Sequence, residues 1–481
     1  MSFDRVLEPS IRSQYLEEPC LLFAHGKEHI DPKQGILQFG PRSFFPEKKH
    51  PATVRVGIIG TADTIENARK WIEKSAGGIK GDDEYIDFPG YRKDRGFLSE
   101  LIFDNDWIAQ INRIELDEIL RVRFLAQRFN EIVDLLEHKI KLIIGKDRPP
   151  DYLIIALPDE IYSSCKMVKF RNRRIGEEGR NLRRALKSVA MKYRIPTQIL
   201  LSSTVMNNGK EKSRKAIVEC QSEIAWNFFT GLYFKSGGYP WGPIGLITGT
   251  CYIGVGFYQP LGSILTTMQT SLVQAFDEHG DGLVLRGHEF TWDPQKEGSK
   301  SPHLSKEHAF ALIELVLRHY KEEMGQTPQR VVVHKTSRYW PQEKEGMTEA
   351  LKNKVNRYDL IALNVQNEIR LMPENQYPPL RGTYFAVEDI DYLYTTGYIA
   401  SLRKYYGAHV PAPIQIADHI GYDTPRETLL REILILTKMN WNSSRLGGLL
   451  PITLRFSRLI GDIMKEIPSE REPLTNFKFY M

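Results

Sequence analysis

At 481 residues, with 41% hydrophobic and 26% charged side chains, the chain has the make-up of a globular protein of about three domains, not of a disordered or fibrous one. Cys20, Cys165, Cys220 and Cys251 lie far apart with no CxxC pair, which argues against a disulfide framework or a zinc site and fits reduced thiols in the cytoplasm. The opening MSFDRVLEPS lacks the marks of a signal peptide, and the most apolar long stretch, residues 243–257, is short and Gly/Thr-rich, so no membrane span is expected. The net charge of +5 is modest but uneven. Between residues 166 and 194 eleven Lys or Arg meet only Glu177 and Glu178, a local net of +9. That is the footprint of a polyanion site or, more plainly, a solvated basic helix face.

In chain order, residues 1–45 carry short apolar runs at 20–23 and 36–39, which read as small strands packing onto the main body. VRVGIIG, from Val54, reads as a buried strand, and TADTIENARKWIEKS after it as a capped helix. No GxGxxG is present and no GxxxxGKS/T occurs anywhere, so neither an NAD site nor a nucleotide site is expected in this chain. Residues 82–103 read as a loop-rich insertion and 117–143 as one long amphipathic helix. DYLIIALP, from Asp151, is a second buried strand. Tyr162 falls just past its end, where open α/β sheets bind ligands, and Lys166 follows four residues on. Residues 171–192 read as helical.

The stretch 195–241 holds an extended run (195–205), a Lys/Arg loop and a helix ending at Lys235-Ser-Gly-Gly. Gln198 offers an amide and Lys235 an ammonium, while Gly237 and Gly238 free the backbone to turn. The pattern suits a phosphate grip, or an ordinary strand-helix unit with a glycine cap. A domain boundary falls near 237–243. Beyond it, LITGTCYIGVGFY and GLVLRGHEFTW read as strands about a DEHGDG turn, KEHAFALIELVLRHYKEEMG as a helix, and RVVVHKTSRYW and YDLIALNVQ as strands. YLYTTGYIAS and an amphipathic block at 424–436 follow. This order fits an RNase H-like α/β fold.

Tyr162, Lys166, Gln198 and Lys235, the last within Lys-Ser-Gly-Gly-Tyr-Pro-Trp, resemble the guide-end pocket of the MID domain of Argonaute proteins. The part after Trp241 resembles a PIWI domain. LEEPCLLFAHGKEHIDPKQGILQFGP and the closing FKFYM are similar to short prokaryotic Argonautes, which have MID and PIWI halves only. The resemblance covers nearly the whole chain. It implies N-terminal strands over 1–45, a Rossmann-like MID domain over 46–240 and an RNase H-like PIWI domain over 241–481. It also implies a guide RNA whose 5′-phosphate meets Lys166, Gln198 and Lys235. The first base would stack on Tyr162, worth about 1–3 kcal/mol. Mg²⁺ would be held between the phosphate, Gln198 and the C-terminal carboxylate of Met481.

Cleaving members of that family hold two metal ions on converging carboxylates. Here the expected aspartate position in Ile253-Gly254-Val255-Gly256 is Gly256, the second acid position is Thr336, and the residue seven past Pro451 is Arg458. Glu289 is a candidate for the family's mobile glutamate. Arg458 would neutralise a target phosphate, or is a surface residue of a C-terminal helix. The resemblance therefore implies a guide-loaded sensor that binds single-stranded DNA targets without cutting them. It would act with an APAZ-containing effector, sirtuin-like or TIR, that depletes NAD in antiviral defence. The alternatives are an active nuclease using Asp277, Asp281 or Asp418, and a stand-alone RNA-binding protein.

Overall fold

The computed structural model describes residues 11–44, 49–172, 176–206, 220–263, 267–276, 282–373, 378–405, 407, 409–421, 424–468 and 470–481. The chain begins with β1 (Arg12–Tyr15), β2 (Leu21–Leu22) and β3 (Glu28–His29). The strand expected at 36–39 is instead part of helix α1 (Pro32–Phe39). Asp31 accepts from the Lys33 and Gln34 amides at 2.8 and 2.9 Å, and Pro32 presets the first turn. These start signals outweigh a four-residue apolar run.

Branched apolar runs set the first sheet. β4 (Thr53–Gly60) and α2 (Ala62–Ala76) form the expected unit, with α2 started by a Thr61–Thr64 capping box. The 82–103 insertion holds a small hairpin, β5 (Tyr91–Arg92) and β6 (Arg95–Gly96), but its end belongs to β7 (Glu100–Gln110). Asp104, Asn105 and Asp106 interrupt the apolar pattern of β7, which an edge strand tolerates. The single helix expected at 117–143 is two, α3 (Arg113–Arg121) and α4 (Leu125–Ile144). Val122 leaves helical geometry between them, with φ −58° and ψ 118°. Helical spacing persists across the break because both helices bury apolar faces in one core, through Leu116 and Ile119, then Phe129 and Ile132.

β8 (Tyr152–Leu157) is buried at all six positions, as suits a parallel strand covered on both faces. After α5 (Asp159–Cys165), the region expected to be helical from 171 instead forms an antiparallel pair, β9 (Met167–Asn172) and β10 (Gly176–Asn181). Helix begins only at α6 (Leu182–Lys192), where Asn181 accepts from the Arg183 amide at 3.0 Å. β11 (Thr197–Leu201), α7 (Ser202–Met206) and α8 (Gln221–Lys235) complete this half, and the Lys/Arg loop at 207–219 lies outside the described residues. The sheet is parallel in the order β11-β8-β4-β7.

The second half runs β12 (Gly242–Pro243), β13 (Thr250–Tyr258), β14 (Thr267–Phe276), β15 (Gly282–Thr291), a single-turn α9 (Pro294–Glu297) and α10 (Lys306–Met324). It continues through β16 (Arg330–Lys335), α11 (Pro341–Leu351), β17 (Arg357–Asn364), β18 (Thr383–Val387) and β19 (Ile390–Leu393). β20 (Ile414–Gly421), α12 (Arg426–Leu436) and α13 (Ile452–Met464) follow. Of YLYTTGYIAS, only its first two residues are strand, in β19. The large sheet is ordered β1-β18-β19-β20-β17-β16-β13-β14-β15. An antiparallel β13–β14–β15 meander sits beside β16 and β17, both running parallel to β13, which is the RNase H-like arrangement expected.

One hydrophobic core joins the halves, with Val56, Trp226, Tyr252, Ile361 and Leu434 in the same cluster. The N-terminal segment clasps both. β1 pairs with β18, β2 with β12, and Lys33 with Glu223 of α8. Buried Glu18 accepts from Arg381 at 2.7 Å and Lys438 at 2.8 Å. Beneath the large sheet, Arg330 binds Asp359 at 2.8 Å and Glu432 at 2.6 Å, all three side chains out of water. Gly254 lets α13 lie directly on β13, since a Cβ there would fall 2.1 Å from the Thr453 carbonyl oxygen. Gly254→Ala is therefore expected to lift α13 and cost about 1–3 kcal/mol in urea unfolding. An unchanged midpoint would contradict this packing.

Candidate anion-binding site

α8 is apolar around most of its circumference and buried along nearly its whole length, so its last residue is carried into the interior. Lys235 is 1% exposed. Its Nζ donates to Gln198 Oε1 at 2.6 Å, makes a long contact of 3.5 Å with the Thr197 carbonyl, and lies 6.0 Å from the centre of the Tyr152 ring. Gly237, at φ +98°, turns the chain away immediately afterwards, a geometry that favours glycine. Gln198 and Lys235 thus meet, as their order in the sequence suggests.

Gln198 lines a pocket with Arg183 and Lys187 of α6, Leu459 of α13, and Tyr480 and Met481, while Lys235 meets that lining through its bond to Gln198. Its volume is about 60 Å³. One water needs about 10–15 Å³ of such space, so the pocket has room for a small polar group. Burial and then Arg183 push Lys187 down to about 7. Burial, with Lys187 and Arg183 nearby, holds Lys235 well below the ordinary lysine range. Among the described residues no Asp or Glu side chain forms an ion pair with either lysine, and Met481, the last residue, shares the lining with Lys187. Such a pocket gains stability by taking up an anion.

The same residues do not fit a divalent cation. Gln198 Oε1, the oxygen that the resemblance assigns to Mg²⁺, already carries the Lys235 ammonium, and two cationic side chains, Arg183 and Lys187, share the lining. Met481 lines the same pocket as Gln198.

Tyr162 and Lys166 are not part of this lining. They meet each other, with Lys166 Nζ 5.9 Å from the centre of the half-buried Tyr162 ring. Their helix is tied to the residues that follow β11, since Asp159 accepts from the Ser203 amide and hydroxyl, both at 2.8 Å. Gln198 stands at the other end of that strand, about 10 Å back along it. Arg183 and Lys187 are the residues the sequence reading misses. Their signal was i, i+4 spacing, which puts both on one helix face, but it is diluted in the basic run.

Other members of that run are spent elsewhere. Arg184 binds Asp462 of α13 at 2.6 Å, Arg180 binds Glu466 at 2.8 Å, and Lys192 binds Glu137 at 2.9 Å. Ser188 donates to the Glu466 carbonyl at 2.8 Å. The solvated basic face is therefore only partial.

At the second site, Gly254 of β13 pairs with His334 of β16, so Gly256 and Thr336 lie two residues further along adjacent parallel strands. His334 is buried, pushed down to about 3 by that burial, and lies 2.8 Å from Thr453 Oγ1 at the start of α13. Arg458 is exposed on the same helix. Glu289 is exposed on β15 opposite Gln269, and Asp418 pairs with Lys344 at 3.2 Å. Asp277 and Asp281 lie outside the described residues. Among the described residues no group of three or more His, Cys, Asp or Glu is placed to hold a metal ion, and no helix is long and apolar enough to cross a membrane.

No protein-family model matches the sequence, and no curated protein matches it. Solved structures do. Clostridium butyricum Argonaute bound to a guide DNA and a 19-mer target DNA aligns with 97% of this chain and 55% of its own, at 18% identity and TM-score 0.63. Drosophila Piwi aligns with 98% of this chain and 56% of its own, at 12% identity and TM-score 0.58. Aquifex aeolicus Argonaute with externally bound siRNA aligns with 97% and 56%, at 16% identity and TM-score 0.57. The chain spans about half the length of these proteins. At such identities the likeness is one of fold, and over nearly its whole length the chain has an Argonaute-like α/β fold.

Proposed function

We propose that the chain is a guide-loaded nucleic-acid-binding protein. The Arg183/Lys187/Gln198/Lys235 pocket seats the 5′-phosphate of a small guide RNA, and the guide pairs with single-stranded DNA. The observation that carries this reading is a pair of buried lysines without an ion-paired Asp or Glu among the described residues, Lys187 beside Arg183 in the lining of a small pocket and Lys235 bonded to its Gln198. In this reading the part that the resemblance gives to Tyr162 and Lys166 passes to Arg183 and Lys187. The guide DNA and target in the Clostridium butyricum structure support the ligand class. RNA as the guide rests on the resemblance to short prokaryotic Argonautes.

Base pairing supplies sequence specificity, while the protein holds backbone and shape, so affinity depends on salt. A two-metal nuclease needs converging carboxylates, and Gly256, Thr336 and Arg458 offer none. The second half then holds a duplex uncut and passes the signal to an APAZ-bearing effector, sirtuin-like or TIR, whose consumption of NAD stops the infected cell.

Charge-assisted contacts to phosphate predict that Lys187→Met/Lys235→Met loses the preference for 5′-phosphorylated over 5′-hydroxyl guides by about ten-fold or more in competition binding. Tyr162→Ala/Lys166→Ala is expected to keep it. The reverse ranking would move the pocket to Tyr162 and Lys166.

A pH dependence follows from Lys187. It sits near 7 in the free protein, beside Arg183 and Lys235, and a bound phosphate dianion favours its charged form. Binding then takes up a proton, so the 5′-phosphate preference should fall as pH rises above about 7. A flat profile would contradict the burial of Lys187.

The tagged chain purified from its host is expected to carry short 5′-phosphorylated RNAs and an APAZ-bearing protein. That complex, given matched DNA and Mn²⁺, should leave the DNA whole. Random nucleic-acid fragments without a partner, or a cut opposite the guide, would overturn the reading.

A further inference from the structure

We infer that this pocket closes on a guide 5′-phosphate without a divalent metal ion, the Lys235 ammonium standing where a metal would bridge Gln198 and the phosphate. The inference rests on the phosphate reading of the pocket and adds what neutralises that phosphate.

The first argument is occupancy of the ligand atom. Gln198 Oε1 is the side-chain oxygen that would face a metal, and Lys235 Nζ reaches it at 2.6 Å. An ammonium has three donors. One goes to Gln198 and a second makes the long contact to the Thr197 carbonyl, and both of those residues line the pocket. The ammonium is also buried, its residue 1% exposed. α8 is packed on nearly all sides, the chain turns sharply at Gly237, and the Tyr152 ring flanks the ammonium.

The second argument is charge. Arg183 and Lys187 line the pocket and Lys235 is bonded to its Gln198, so up to three positive charges, set against the Met481 carboxylate, stand close to a bound phosphate dianion. A divalent ion added to that set would meet like charges at close range in a small pocket, where they are weakly screened. The third argument is donor chemistry. Mg²⁺ demands near-octahedral oxygen ligation and sheds its waters reluctantly. Besides Met481, the lining offers Thr197, Gln198, Asn442 and Tyr480 as oxygen donors, without an Asp or Glu side chain.

The test uses the full chain stripped of nucleic acid, with one oligoribonucleotide carrying either a 5′-phosphate or a 5′-hydroxyl. Affinities are measured in Mg²⁺ and in EDTA at matched ionic strength. The expected result is a 5′-phosphate preference that differs by less than about three-fold between the two buffers. A larger fall in EDTA would overturn the inference while leaving the phosphate reading in place. No preference in either buffer would overturn both. Lys235→Met, first shown to unfold at the wild-type denaturant midpoint, should lose the preference in EDTA. An undiminished ratio in that variant would refute the role given to Lys235. The Mg²⁺/EDTA comparison on the unaltered chain decides the matter even where the variant does not fold.

Discussion

Two lysines held out of water without an ion-paired Asp or Glu among the described residues are the costly feature on which this architecture turns. Removing an ion from water costs several kcal/mol even after the protein relaxes. Lys187 and Lys235 are kept in that state by their helices. α8 is anchored by an aromatic stack in which Phe88 lies 5.1 Å from Phe229 and 5.2 Å from Trp226, and Tyr91 lies 5.3 Å from Phe229. That packing places the end of the helix, and so Lys235, where solvent cannot reach. The free pocket is thus preorganised for an anion, and the gain on binding is larger because the cost of desolvation is already met within the fold.

α6 divides its labour by face. Arg184 and Ser188 are bonded to α13 and the residues after it, as is Arg180 just before the helix begins, whereas Arg183 and Lys187 turn to the pocket. Leu459 of α13 lines the same pocket. The helix that carries the charge is therefore gripped by the half that carries Gly256 and Thr336. Adjacent residues in one basic run do opposite things because helical spacing, not sequence proximity, decides which way they point.

Much of the fold was legible because its central strands are continuous apolar runs. VRVGIIG, DYLIIALP, RVVVHK and YDLIALN all lie within strands or overlap them closely. Elements that depend on polar detail were less so. β7 is broken by acidic residues, the α3–α4 break leaves the helical period intact, and β9–β10 is an antiparallel pair in charged sequence. In the site, Lys235 was legible because a glycine pair marks the end of its helix, and Gln198 because it opens a strand beside it. Tyr162 and Lys166 came from the resemblance to a MID-domain pocket, to which the rule that open sheets bind ligands at the carboxyl ends of their strands added weight. The cationic pocket instead gathers at the amino end of β11, where α6, α8 and α13 converge.

The pairing of β1 with β18 has a consequence for synthesis on the ribosome. Arg12 finds its partner, Ala386, about 370 residues later. At roughly 5–20 residues per second, that strand waits some 20–70 s after emerging before its neighbour exists. The first half can collapse around its own parallel sheet meanwhile, since β4, β7, β8 and β11 all lie within one contiguous stretch. The anion pocket cannot, because Leu459, Tyr480 and Met481 emerge nearly 300 residues after Arg183 and Lys187. A nascent chain therefore carries its cations long before it can enclose anything with them, and loading belongs to the finished protein.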